Sequence, residues 1–194
     1  MQHRRGAGRA RRELRFASYL ATIPGARAEE KCVPKVKPVP DGYHSLTPYL
    51  IVADAAAAID FYKRVFGASE RLRLAAPGER VGHAEIEIGD SVIMMADEHP
   101  EMGARGPRAY GGSPISLHLY LDDVDAVIER AVAAGAKLVR PVTDMFYGDR
   151  TGAVEDPFGH IWHIATHKED VPPEELRRRA DAVMQKAATE KTPT

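Results

Sequence analysis

Residues 46–52 run Leu-Thr-Pro-Tyr-Leu-Ile-Val, an apolar stretch that predicts a β-strand. Asp54 then reads as an N-cap. Ile59, Tyr62, Val65 and Phe66 recur at helical spacing until Gly67, a residue that ends helices because it accepts left-handed backbone. Residues 69–74 alternate as a half-exposed strand. Residues 81–88 set Ala84, Ile86 and Ile88 on one face and His83, Glu85 and Glu87 on the other, as the pleat of a strand requires. Gly89-Asp90 turns the chain into a buried strand over residues 91–96. The order is strand, helix and three strands.

After a Gly- and Pro-rich loop over residues 99–114 the same order returns. Residues 115–121 (Ile-Ser-Leu-His-Leu-Tyr-Leu) form a strand, and Asp123 caps a helix carrying Val124, Val127, Ile128, Ala131 and Val132 on one stripe until Gly135. Strands follow over residues 137–140, 147–154 and 160–165, the last two joined by the turn Asp156-Pro157-Phe158-Gly159. An offset of 69 lays residues 46–52 over 115–121, Asp54 over Asp123 and residues 90–96 over 159–165. Such a repeat decides the architecture. It predicts an α+β fold of two βαβββ modules, residues 44–97 and 114–169, forming a curved mixed sheet around a shared cleft with helices outside. In residues 170–194, Pro172, Pro173, Glu174 and Glu175 start a C-terminal helix. Its thin stripe of Leu176, Ala180, Val183 and Ala187 predicts contact with the body.

Composition places the chain among globular proteins: of 194 residues 44% are hydrophobic and 28% charged, enough for one good core. The net charge of −1 conceals an asymmetry. Residues 1–40 hold 10 Lys and Arg against 3 acids, a surplus of +7, whereas the rest carries −8. Residues 1–43 therefore read as a disordered basic extension, and the acidic remainder is unsuited to nucleic acid. No apolar run approaches the roughly 18 residues of a membrane span. The one cysteine, Cys32, cannot close an internal disulfide, so a cytoplasmic location is expected.

No GxGxxG, Walker, HExxH or GxSxG motif is present. Leu50-Ile51-Val52-Ala53-Asp54, Ile59-Asp60-Phe61-Tyr62 and Val65-Phe66-Gly67 resemble the opening of the glyoxalase and bleomycin-resistance proteins, the vicinal-oxygen-chelate (VOC) superfamily. Gly148-Asp149-Arg150, Gly152, Asp156-Pro157-Phe158-Gly159-His160 and Trp162 are similar to its PhnB-like branch. The resemblance spans about residues 44–169 and implies a homodimer binding a small molecule. It also implies that metal-using members would place four ligands at Thr47, Met94, Ser116 and His163. Two hydroxyls, a thioether and one imidazole hold a divalent ion poorly, so no metal cofactor is expected.

A displaced divalent-metal site from His83, Glu85, His118 and His163 is the alternative; it would make the protein a metal-dependent lyase, isomerase or dioxygenase. The expected ligand-binding residues are Thr47, Tyr49, His83, Glu85, Met94, Ser116, Tyr120 and Arg150, with Arg150 available to an anionic group. His118 and His163 are the expected acid or base if the site is catalytic, since imidazole titrates near neutrality.

Overall fold

A computed structural model describes residues 36–190, so most of the expected basic extension, including Cys32, lies outside the described residues. Each module forms its own four-stranded mixed sheet. The first comprises β1 (Tyr49–Val52), α1 (Ala55–Phe66), β2 (Ser69–Ala76), β3 (Arg80–Ile88) and β4 (Ser91–Asp97), in strand order β1-β4-β3-β2. The second comprises β5 (Ser116–Tyr120), α2 (Val124–Ala133), β6 (Lys137–Asp144), β7 (Asp149–Glu155) and β8 (Ile161–His167), in order β5-β8-β7-β6. The first strand pairs parallel with the fourth in both, and the other pairings are antiparallel. The expected α+β architecture is what the chain adopts.

The repeat extends to individual hydrogen bonds. Asp54 accepts from the Ala57 amide at 2.9 Å, and Asp123, 69 residues on, accepts from Ala126 at 3.1 Å. The amide opening α1, Ala55, donates to Asp97 at 2.6 Å, and that opening α2, Val124, donates to Thr166 at 2.9 Å. The same two positions of the repeat thus tie each helix to the end of its last strand, once with a carboxylate and once with a hydroxyl.

The helix-covered faces of both sheets share one core. Ile59, Tyr62 and Val65 of α1 and Val124, Val127 and Ala131 of α2 join Ile86, Met95, Val154, Trp162 and Ile164 in it. Tyr62 and Phe66 pack on Trp162 with ring centroids 5.3 and 4.7 Å apart. Asp156, 2% exposed, fixes this junction. Its Oδ2 accepts from the Tyr62 hydroxyl at 2.7 Å and from Trp162 Nε1 at 2.9 Å, while Oδ1 accepts the Phe158 and His160 amides, both at 2.9 Å.

Between the modules, two 3-10 turns, Pro100–Met102 and Pro107–Tyr110, make the connection an ordered strap. Glu98 accepts the Gly106 amide at 2.6 Å, and Arg108 donates to the Pro157 carbonyl. A third helix, α3 (Pro173–Glu190), is tied to the body through its first half, where Arg179 donates to Glu169 at 2.8 Å and to the Phe146 carbonyl at 3.4 Å. Val183 is 49% exposed, so the expected contact along the whole stripe is not made; two alanines, a leucine and a valine offer too little apolar area to hold it. No described helix is long and apolar enough to cross a membrane.

Candidate functional site

With one face of each sheet committed to the core, the chemistry sits on the opposite, open faces. Strand register groups it into rows. In the first module Tyr49 lies beside Met94, Met94 beside Glu85 and Glu85 beside Leu72. In the second, His118 lies beside His163, His163 beside Ala153 and Ala153 beside Arg140.

The first row carries a hydrogen-bonded chain. With His83 Nε2 donating to Glu85 Oε1 at 3.3 Å, the neutral ring accepts the Tyr49 hydroxyl at Nδ1, 3.0 Å away. Tyr43 donates to the other Glu85 oxygen. That bond, helped by the one from His83, holds the Glu85 carboxyl below the usual range although burial opposes it. Burial raises the Tyr49 phenol. Beside this row an open pocket of about 680 Å³ lies between Tyr49, Ile51 and His160 on one side and Arg105, Tyr110 and Ser113 of the strap on the other.

In the second row the His118 and His163 rings are nearly parallel, with centroids 6.3 Å apart. Burial, then the nearby Arg140 and His118 charges, lower the His163 pKa, which favours a neutral imidazole able to take a proton. Arg140 Nη2 donates to Thr151 Oγ1 at 3.2 Å. At one end of the face Tyr120 donates to Asp149 at 2.8 Å, and His167 Nδ1 donates to the same carboxylate at 2.7 Å. Burial works against the Asp149 charge, but these two bonds outweigh it and lower its pKa. Tyr120 is raised in consequence.

Of the residues expected from the sequence, Tyr49, His83, Glu85, Met94, His118, Tyr120 and His163 lie on these faces. Thr47 precedes β1 and donates to the His44 carbonyl at 3.4 Å, and Ser116 lies beside Ile161. The repeat-related row partners are therefore Tyr49 with Met94 and His118 with His163. Arg150 points the other way, toward α2, where Asp125 takes it through two contacts of 2.7 Å and Asp144 through one of 3.1 Å, so no donor is offered to the open face. Arg140 stands there instead. Tyr43 and Arg140 are the residues that sequence reasoning missed.

No hydrogen bond, ion pair or ring contact among the described residues joins the Tyr49 row to the His118 row. The displaced set divides in the same way, His83 with Glu85 and His118 with His163. Among the described residues no three of His, Cys, Asp and Glu stand close enough to hold a metal ion. Two hydroxyls, a thioether and one imidazole, at Thr47, Ser116, Met94 and His163, are a poor donor set for a divalent ion.

A family model described as Glyoxalase/Bleomycin resistance protein/Dioxygenase superfamily matches residues 42–164. An uncharacterized protein of Mycobacterium bovis is 40% identical over 136 residues, covering 69% of this chain and 90% of its own. Among solved structures, TioX from Micromonospora sp. ML1 is 30% identical with a TM-score of 0.50, over 63% of this chain and 97% of its own. A PhnB protein from Bacillus cereus, 17% identical with a TM-score of 0.51 over 63% of this chain and 99% of its own, is alike in fold.

Proposed function

This chain belongs to the glyoxalase/bleomycin resistance protein/dioxygenase superfamily, and from that premise we propose that it binds a small organic molecule against its open sheet faces without a resident metal. The proposal places it in the PhnB-like branch, as a homodimer in the cytoplasm, with no nucleic-acid or membrane partner. One observation carries the binding reading. Tyr49, Leu72, Leu74 and Tyr120 stand 48, 39, 51 and 57% exposed beside the imidazoles of His83, His118 and His163, which is the mixture of apolar area and a few polar handles typical of ligand sites. The dimer reading draws on the same faces, where Tyr49, Leu72, Leu74 and Tyr120 are the exposed apolar side chains. A second copy laid across them would bring the Tyr49 row of one protomer toward the His118 row of its partner. Should the site be catalytic, His163, held toward its neutral form, is the base and His118 its neighbouring acid.

A thermal-shift screen of the full chain with metabolites and with Fe, Ni, Zn and Mn salts, run beside elemental analysis, tests this. An organic ligand at 100 times its Kd stabilises by about 2.7 kcal/mol, and stoichiometric metal is not expected. One equivalent of metal, lost in His118→Ala or His163→Ala, would overturn the metal-free reading in favour of a metal-dependent lyase, isomerase or dioxygenase. Sedimentation giving only monomer at micromolar concentration would remove the dimer.

A further inference from the structure

Arg140 is anomalous in its surroundings. Its Nε is sealed from solvent and has no hydrogen-bond partner, and it is the only such side-chain nitrogen or oxygen among the described residues. A buried donor left unpaired costs about 1–3 kcal/mol, so each instance calls for a reason. Among the described residues no carboxylate pairs with the guanidinium, whose one hydrogen bond goes to the neutral Thr151 hydroxyl. Arg71, Arg73, Arg150, Arg178 and Arg179, by contrast, each have an acid beside them.

The rest of the face accentuates this. Ala153, the residue between Arg140 and His163 in the row, is small and fully buried, and the guanidinium lies near enough for its charge to be felt at His163. His118 follows at a ring spacing of 6.3 Å. The acids of the same face stand at its two ends: Asp149 is committed to Tyr120 and His167, and Glu155 is opposite Lys137. The centre thus presents one permanent cation and two imidazoles.

We propose that the Arg140–His163–His118 row of the second sheet is an oxyanion subsite that takes the carboxylate or the phosphonate-type group of the bound molecule. The inference rests on the binding reading above and adds the ligand's charge and its orientation, with the anionic end on the second sheet. A guanidinium with spare donors suits either group, because its planar fork matches both.

The test uses the full chain in two-dimensional amide NMR at fixed pH and ionic strength, titrated with benzoate, phenylphosphonate and, as the neutral counterpart, benzyl alcohol. Saturable shifts centred on His118, Ala153 and His163 are expected with at least one anion, and its identity distinguishes carboxylate from phosphonate. Arg140→Gln is expected to weaken that Kd at least tenfold, while Arg140→Lys, which keeps the charge but loses the fork, weakens it less. Matching amide spectra outside the row establish that each variant is folded. The inference is overturned if neither anion saturates, if Arg140→Gln binds as the parent does, or if benzyl alcohol binds equally well. The first of those results leaves the binding reading to its own metabolite screen, and the last supports that reading while removing the charge preference.

Discussion

Replacing Asp156 with Asn alters one atom at the point where the two modules meet. The present carboxylate accepts four hydrogen bonds in a site only 2% exposed. An Asn that keeps Oδ1 on the Phe158 and His160 amides turns its NH2 toward Tyr62 and Trp162. The tyrosine hydroxyl can rotate and accept, but an indole N–H only donates, so two donors face each other. Losing a hydrogen bond to a charged group costs about 1.5–3 kcal/mol and stranding a buried donor about 1–3 kcal/mol. The two terms overlap, and a net loss of about 3 kcal/mol is expected. Flipping the amide transfers the conflict to the turn and gains nothing. With a urea m-value of about 1–3 kcal/mol/M, the midpoint falls by at least about 1 M. Trp162, the one tryptophan of the chain, reports the transition by fluorescence, and circular dichroism should give the same midpoint. Tyr62→Phe removes one donor and leaves the carboxylate three others, for a loss of about 1.5 kcal/mol, at the low end for a bond to a charged group. An Asp156→Asn protein within about 0.5 kcal/mol of the parent, or a Tyr62→Phe loss exceeding it, would refute the reasoning.

Gly148 has φ +97°, and a Cβ there would lie 2.2 Å from the Glu169 carbonyl oxygen, so Gly148→Ala should cost at least about 2 kcal/mol in urea unfolding. Gly67→Ala, with φ +70° but nothing within 4 Å, should cost less; equal losses would show the contact to be irrelevant. His167 is raised above its ordinary pKa of about 6.5 by Asp149 and then Asp170. The stability this adds is complete below that ordinary value and is lost as pH rises through the folded one. The advantage of the parent over His167→Gln in urea midpoint should therefore shrink from about pH 6 to pH 9, and an advantage that grows over this range contradicts the assignment.

The sequence carried the repeat because side-chain period and capping chemistry are local. Asp54 and Asp123 cap as their positions suggest, and Trp162, out of phase with His163, is in the core with 1% exposure. What it could not carry depends on pairing at a distance. In β6 the register shifts between Leu138 and Arg140 and again before Thr143. Simple alternation puts Arg140 on the same face as Leu138, whereas the bulge turns it to the open face. Tyr43 lies ahead of any periodic segment, and its acceptor is 42 residues away. Thr47 and Ser116 lie two residues before Tyr49 and His118, the strand neighbours of Met94 and His163; the repeat aligns the two first strands with each other without stating which of their residues meets Met94 or His163. The offset of 69 is equally compatible with modules that share a cleft and modules that share a core through their helices.

The strap between the modules bears on a hazard that duplicated folds run. Two similar halves on one chain can trade places with those of a neighbouring molecule when the hinge between them opens freely. Here opening it would break the Glu98–Gly106 and Arg108–Pro157 bonds and pull Tyr62 from Asp156. Intertwining therefore faces a barrier set by the joint itself.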